Sequence, residues 1–216
     1  MHRAVDDFLQ SNESMSPTEF RSLLLSKSVP DIVNEHLIDD SPGAVVSQGD
    51  LDLIANEARA AFQLSSTDSL KPIVVGSAKL GFSIIEKRKK ENRPYKPRYR
   101  DYVAGRSDID IAIVSPVLYG KIWSALALYG ANQTYFPWRS GDLSDYMLHG
   151  WIRPDKFPTY QPPIVCSDWA KLMHRLKTSV NFRYRGLSCA LYHSKSFLSL
   201  YQQRGVKDAQ ITEKLQ

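Results

Sequence analysis

Apolar residues recur at helical spacing in several stretches of the chain, and two of these stretches begin with a clear start signal. The segment SPTE, residues 16–19, offers Ser as N-cap, Pro at the first helical position and Glu three residues after the cap, so it predicts a helix that ends before Pro30. The segment SQGD, residues 47–50, opens a second helix with its apolar positions on one stripe. Residues 31–46 show little periodicity and are predicted to form a connection.

Short apolar runs predict the strands. Four runs have the length and composition of buried or half-buried strands, namely KPIVV (71–75), DIDIAIV (108–114), PPIVC (162–166) and RGLSCALYH (185–193). Helical spacing returns in residues 118–129, in a segment capped at Ser167 or Asp168, and in residues 194–205, where Gly205 is the predicted end. Residues 131–163 are rich in Pro, Gly and aromatic residues and are predicted to be irregular.

Composition limits the class of protein. The chain has 216 residues, of which 43% are hydrophobic and 24% charged, and no apolar run approaches the roughly 20 residues of a membrane span. Its first residues lack the apolar centre of a signal peptide, so we expect a cytoplasmic protein without a membrane partner. Cys166 and Cys189 lie in apolar runs, where a free thiol behaves as a small hydrophobic group. The five histidines show no metal-ligand spacing.

The net charge of +5 is concentrated in one segment. Residues 86–106 carry +6, so the rest of the chain carries −1. Three tyrosines lie among these charges, and such a segment would attract phosphates and stack on unpaired bases. The residues that we expect to contact nucleic acid are Lys87, Arg88, Lys89, Lys90, Arg98 and Arg100. The alternative is a solvated loop whose charge serves solubility.

Two carboxylates are predicted to share one face of a strand. Side chains at positions i and i+2 of a strand point the same way, so Asp108 and Asp110 project together while the isoleucines between and after them are buried on the other face. Two like charges in one place favour a bound cation, and a hard divalent ion such as Mg²⁺ or Mn²⁺ is the expected ligand.

The turn VVGSAKLG, residues 74–81, offers a complementary phosphate site. Gly76 allows close approach of the backbone, Ser77 adds a hydroxyl donor, and a helix is predicted to begin near Ala78. Lys79 in this turn and Ser107 beside the carboxylates are further candidate nucleotide contacts. Arg153, in a loop with Pro and aromatic residues, is a candidate phosphate contact or a surface residue.

An apolar strand followed by Gly-Ser, and then Ser-Asp-x-Asp in a second apolar strand, resembles the nucleotidyltransferase superfamily of DNA polymerase β, in its minimal form. The matching residues are Gly76, Ser77, Asp108 and Asp110, and the shared pattern covers residues 71–115. The resemblance implies an α+β fold with a mixed sheet flanked by helices. In that fold Gly and Ser contact the triphosphate and the two carboxylates bind metal.

The pattern departs from that superfamily at two points. The spacer between the two halves is long and contains the basic segment. The superfamily also places a third carboxylate on a later strand, and PPIVC contains none. Asp168 is the nearest candidate for this catalytic role, although an acidic residue there would also suit a helix start. Asp142 and Asp145 are further candidates.

The resemblance implies transfer of a nucleoside monophosphate from a triphosphate, with ATP favoured, to a hydroxyl of RNA or protein. Small relatives do so in toxin–antitoxin or antiphage modules, and a protein partner would fit that setting. The alternative is a nucleotide-binding or RNA-binding regulatory module that has lost turnover. We expect residues 47–216 to form the nucleotidyltransferase-like domain, with a basic insertion at 86–106, and residues 1–46 to form a helical extension.

Overall fold

The computed structural model of the chain describes residues 15–87, 95–132, 140–183 and 185–215. Within these residues, four strands form one mixed sheet in the order β1-β2-β4-β3. The strands are β1 (Lys71–Val75), β2 (Ile109–Val114), β3 (Trp151–Ile152) and β4 (Leu187–Tyr192). Strand β2 is antiparallel to β1 and parallel to β4, and β3 is antiparallel to β4. The predicted α+β class with a mixed sheet is confirmed.

Helices cover both faces of this sheet. They are α1 (Pro17–Ser26), α2 (Val29–Ile32), α3 (Gln48–Phe62), α4 (Ser77–Leu80), α5 (Pro116–Ala131), α6 (Ser140–Leu148), α7 (Ile164–Thr178) and α8 (Lys195–Lys214). A π-helical segment, Val33–Leu37, continues α2, and a 3₁₀ turn spans Pro154–Lys156. Helices α1 and α3 begin with the capping boxes that the sequence predicts, at Ser16 and Ser47.

The connection predicted for residues 31–46 is wrong in its first part. Helix α2 and the π-helical segment extend through Leu37, and Ile32, Val33, Leu37 and Ile38 are all buried. The change from α to π geometry alters the number of residues per turn, so the buried positions do not follow the 3.6-residue period that sequence analysis uses.

The strand predicted at residues 162–166 is also wrong. Pro163 is the N-cap of α7, and the apolar run that begins at Ile164 is the first turn of this helix. The buried residues of α7 are Val165, Cys166, Trp169, Leu172 and Leu176, which follow helical spacing. A short apolar run suits a buried strand and a buried helix equally well, and here the longer pattern decides. Neither Ser167 nor Asp168 caps the helix.

Two further boundaries differ from the prediction. Residues 131–163 contain helix α6, strand β3 and the 3₁₀ turn rather than only irregular structure. The last helix continues through Gly205 to Lys214, because Val206 and Ala209 bury their side chains beyond the glycine.

The sheet separates two apolar layers. Odd-numbered residues of β2, among them Ile111, face a core formed with α3, α5 and α7. Even-numbered residues, among them Ala112 and Val114, face a second core formed with α1, α2, the π-helical segment and α8. The helices before residue 47 therefore share a core with the sheet. The division into a helical extension and a nucleotidyltransferase-like domain stays a prediction.

No helix in the described parts of the chain has the length and apolar character needed to span a membrane.

Candidate functional site

Asp110 lies at the start of β2, between a residue of each neighbouring strand. In register it faces Val75 of β1 on one side and Ser188 of β4 on the other. The Ser188 hydroxyl donates to Asp110 Oδ1 at 2.5 Å. Because β1 ends at Val75 and the turn at Gly76 follows, the carboxylate lies between the Gly-Ser turn and β4. The structure thus brings Gly76, Asp110 and Ser188 together at one end of the sheet.

Gly76 has a backbone conformation that only glycine adopts readily, with φ 68° and ψ −148°. A Cβ atom built on Gly76 would lie 3.3 Å from Asp110 Oδ2. The backbone of the turn therefore passes directly beside the carboxylate, and the absence of a side chain makes this approach possible. Ser77 follows as the first residue of α4 and is half-buried.

Asp108 lies just before β2 and is exposed. A Cβ atom on Gly186 would lie 2.0 Å from Asp108 Oδ1, so glycine at position 186 makes room for this carboxylate. The backbone amide of Ile109 donates to the carbonyl of Gly186 at 2.6 Å, which fixes the two segments side by side. No pattern in the sequence marks Gly186 as part of the site. The position of Asp108 beside it shows why this residue is a glycine, since any side chain would collide with the carboxylate.

The environment of Asp110 disfavours its charge. Burial raises the pKa of the Asp110 carboxyl, the hydrogen bond from Ser188 lowers it, and the neighbouring Asp108 raises it again. Lys87 lowers it slightly, and the net result is a raised pKa. A cation beside the two carboxylates would offset the cost of burying the charge of Asp110 and the repulsion between Asp110 and Asp108.

A cleft of about 920 Å³ opens from Asp110 and Ser188 along β4. Its other walls are the 3₁₀ turn and one side of α7. The cations that border the cleft are Lys87, Arg153 and Lys177. Ligand sites commonly have volumes of about 300 to 1,000 Å³. The carboxylate site thus opens into a space large enough for a substrate.

Among the described residues, no predicted candidate for the third carboxylate borders the cleft. Asp168 lies in the second turn of α7, accepts from Lys171 Nζ at 3.3 Å and does not border the cleft. Asp145 is exposed on α6, and the side chain of Asp142 lies outside the described residues. The strand that does pair in parallel with β2 is β4, and the residue opposite Asp110 is Ser188. Serine therefore occupies the position beside Asp110 on the later strand.

Lys79 is directed away from the carboxylates. Its side chain is buried, and its ammonium contacts Asp39 Oδ1 at 2.5 Å and donates to the carbonyl and hydroxyl oxygens of Ser41 at 2.6 and 2.7 Å. In this arrangement Lys79 holds the connection before α3 and does not reach a phosphate at the Gly-Ser turn. Ser107 accepts from the amide of Val103 at 3.1 Å and so closes the turn before Asp108.

The basic segment folds back on the protein. Backbone pairing joins Phe82 with Asp101 and Lys87 with Lys96, and it brings Lys87 to the cleft beside Asp110. Lys87 is exposed. The other predicted nucleic-acid contacts Arg88, Lys89 and Lys90 lie outside the described residues.

Two arginines of the basic segment have structural partners. Arg98 donates to the carbonyl of Ile84 and to Asp208 on α8, and Arg100 donates to the carbonyls of Ile85 and Pro97. Their guanidinium groups fasten the segment to the fold. The contact between Arg98 and Asp208 could not be predicted from the sequence, because the two residues lie 110 positions apart along the chain.

Arg153 is bound to Asp155 through two hydrogen bonds of 3.0 and 2.6 Å, and its guanidinium lies over the rings of Tyr146 and Trp151. Asp155 and Trp151 border the cleft and were not predicted as site residues. The short strand β3, which positions Trp151, lies in the stretch that the sequence indicated as irregular.

Among the described residues, no group of three or more His, Cys, Asp or Glu side chains is arranged to hold a metal ion. The oxygens of Asp108 and Asp110 are hard donors, and Mg²⁺ commonly takes one or two carboxylates together with substrate phosphates. Asp108 raises the pKa of Asp110, so the two carboxylates act on each other and offer oxygen atoms of the kind that Mg²⁺ takes.

Comparisons of the chain with protein-family models, with curated proteins and with solved structures find no match.

Proposed function

We propose that the chain binds a nucleoside triphosphate with Mg²⁺ at the Gly76 turn and the Asp108–Asp110 pair, and transfers the nucleoside monophosphate to a hydroxyl. The observation that carries this proposal is the contact between the two halves of the motif, with Asp110 Oδ2 at 3.3 Å from the Cβ position of Gly76. A phosphate chain laid along this turn would reach the carboxylates without crossing a side chain. The fold that we propose is that of the nucleotidyltransferases.

The described residues have separate roles in this proposal. The backbone at Gly76 and the hydroxyl of Ser77 bind the phosphates beyond the α-phosphate. Asp108 and Asp110 would hold the divalent ion, which supplies charge neutralisation for the triphosphate when bound. Lys87, at the mouth of the cleft, adds a positive charge that attracts the anionic substrate.

The reaction requires an acceptor on the side of Asp110 that the cleft occupies. The acceptor oxygen forms a bond to the α-phosphorus as the bond from this phosphorus to the bridging oxygen breaks. Pyrophosphate leaves with the electron pair, and the hydroxyl proton passes to a carboxylate or to water.

The test measures ATP binding by calorimetry in the presence of Mg²⁺, and transfer from ATP labelled at its α-phosphate. The double variant Asp108→Ala with Asp110→Ala should weaken ATP binding by more than about a hundredfold, since changes in outer-shell partners alone cost 10 to 100-fold. Ser77→Ala should cost about 1 to 2 kcal/mol of binding free energy. Asp168→Asn is the matched control and should bind ATP like the parent. Undiminished binding by the double variant would contradict the proposal.

A second candidate function is nucleotide binding without transfer. Ser188 favours it, because a serine stands where the superfamily pattern would supply the carboxylate that activates the acceptor. In this case the parent chain binds Mg²⁺-ATP but transfers no α-phosphate label to any acceptor and releases no pyrophosphate. Ser188→Asp supplies a carboxylate at this position and would then introduce transfer or pyrophosphate release. Ser188→Asn, whose side chain has the size of Asp without its charge, would not.

A further inference from the structure

The outer edge of β4 is covered along only part of its length. Strand β3 pairs with Tyr192 and Leu191, at the far end of β4. The beginning of β4 borders the cleft instead, and no described residue pairs with its outer edge there. An open strand edge inside a cleft is uncommon, because unpaired backbone groups attract further strands.

The pairing with β2 determines which backbone groups face the cleft. The amide of Ile109 donates to the carbonyl of Gly186, and the amide of Ser115 donates to the carbonyl of Tyr192. In a parallel ladder this places the even-numbered residues of β4 in hydrogen bonds with β2. The amides and carbonyls of the odd-numbered residues Leu187 and Cys189 therefore point outward, toward the cleft.

Pro154 explains why β3 does not continue along this edge. The amide of His193 donates to the carbonyl of Gly150, so the same register would place residue 154 opposite Cys189. Proline has no N–H to donate at that position, and the chain turns away in the 3₁₀ turn. The sequence thus ends β3 where the open edge begins.

The two sides of the open edge differ in chemistry. A guest residue opposite Ser188 would place its side chain on the same face as Ser188 and Asp110, with its Cβ about 4.5 to 5.5 Å from that of Ser188. Guest residues opposite Leu187 and Cys189 would point the other way, toward the apolar wall that Trp169 and Met173 of α7 provide. The edge therefore fits a peptide in which a residue with a hydroxyl group lies between two apolar residues.

We propose that the open edge of β4 binds an extended polypeptide as an additional strand, with a Ser, Thr or Tyr hydroxyl opposite Ser188 and apolar residues on either side of it. This inference rests on the proposed function in one respect, because it makes that hydroxyl the acceptor. Alternating backbone donors and acceptors are matched by another backbone, and main-chain pairing with side-chain pockets is an established mode of peptide recognition. Among the residues that the structure describes, no continuous row of unpaired cations follows this edge, since Arg153 is bound to Asp155.

The first test uses the protein alone and measures amide hydrogen exchange by NMR. The amides of Leu187 and Cys189 should exchange at least about tenfold faster than those of Ser188 and Ala190, which bond to β2. Equal protection of all four amides would show that the edge is already paired and would overturn the proposal.

The second test adds the peptide acetyl-Lys-Thr-Ile-Ser-Val-Thr-Lys-amide, without nucleotide or Mg²⁺. Binding should slow exchange at Leu187 and Cys189. In the antiparallel pairing that β3 already makes with β4, the Ile and Val nitrogens of the peptide face the edge. A matched peptide methylated on these two nitrogens should bind about tenfold or more weakly because two hydrogen bonds are lost. Equal binding of the two peptides would overturn the proposal, and so would a failure of both to bind. Slower amide exchange at Leu187 and Cys189 with a twelve-nucleotide single-stranded RNA in place of the peptides would also overturn it.

A pair of variants tests the same edge from the protein side. Cys189→Pro removes an outward N–H without touching the bonds to β2, and should weaken peptide binding by about tenfold. Cys189→Ala keeps the N–H and should bind like the parent. If Cys189→Pro does not fold, the methylated peptide decides the question. Loss of ATP binding in the Asp108 and Asp110 double variant with peptide binding retained separates this inference from the proposed function.

Discussion

The two faces of β2 differ at one end of the strand. On the face toward α3, α5 and α7, Ile109, Ile111 and Ile113 are all buried to within 1% exposure. On the opposite face, Ala112 and Val114 are buried, but the row begins with Asp110. Burial disfavours the charge of Asp110. The difference teaches that one face of β2 is apolar along its full length, whereas the other begins with a carboxylate whose charge is disfavoured by burial.

The largest expected effect lies on the apolar face. Ile111→Ala should lower the free energy of unfolding by about 2 to 5 kcal/mol, because it leaves a cavity in a fully packed layer. Urea denaturation measures the change, and Ile111→Val should cost only about 0.5 to 1.5 kcal/mol. ATP affinity of the folded variant should stay near that of the parent. If Ile111→Ala lowers the free energy of unfolding by less than about 1 kcal/mol, the side chain of Ile111 is not tightly packed.

Gly76→Ala should have the next largest effect, at the end of the charged face. The left-handed backbone at Gly76 costs any other residue about 1 to 3 kcal/mol, and the added methyl group would press on Asp110 Oδ2. Gly120→Ala is the control, because open space surrounds that helical glycine and alanine should stabilise it by about 0.5 to 1 kcal/mol. Thermal unfolding of both variants checks the opposite signs. The two variants should shift stability in opposite directions, and a stabilised Gly76→Ala would contradict the turn geometry.

Ser188→Ala should lower stability by about 1 kcal/mol through the loss of its hydrogen bond to Asp110. It should also raise the pKa of Asp110 further, since this hydrogen bond lowers the pKa. Titration of the Asp110 carboxyl carbon by NMR measures the shift. Ser188→Thr keeps the hydroxyl and should titrate like the parent. An unchanged pKa in the alanine variant would mean that the hydrogen bond does not form in solution.

Asp110→Asn should have the smallest effect on folding, and of the opposite sign. The folded pKa of Asp110 lies above its unfolded value of about 3.9, so its charge lowers stability at neutral pH. The variant should therefore unfold at a higher temperature than the parent at pH 7. This advantage should shrink as the pH falls through the folded pKa and vanish below the unfolded value. Asp145→Asn, at an exposed position on α6, is the matched control and should unfold near the temperature of the parent at pH 7.

The elements that local signals determine were predicted well. The capping boxes at Ser16 and Ser47, and strands β1, β2 and β4, follow from residues within a few positions of one another. The positive φ of Gly76 also follows from a local turn, whereas the roles of Gly76, Asp108 and Asp110 in binding stay predictions.

The partners of the site could not be predicted in this way. Ser188 was missed because two apolar runs competed for the role of the later strand, and only tertiary packing shows that the first of them is helix α7. Lys79 has the sequence position of a phosphate contact, but its partner Asp39 lies 40 positions away. Long-range ion pairs of this kind leave no periodic signal in the sequence.

The last helix carries a consequence for how the chain is made. Gln210 of α8 donates to the carbonyls of Leu24 and Lys27, and α8 supplies Leu198, Val206 and Ala209 to the layer that α1 and α2 occupy. During translation the first helices must therefore wait, with apolar surface uncovered, until residues 195–214 have left the ribosome tunnel. Over that interval we expect the nascent chain to be a client of chaperones that bind exposed apolar segments, and the layer to close only after α8 has emerged.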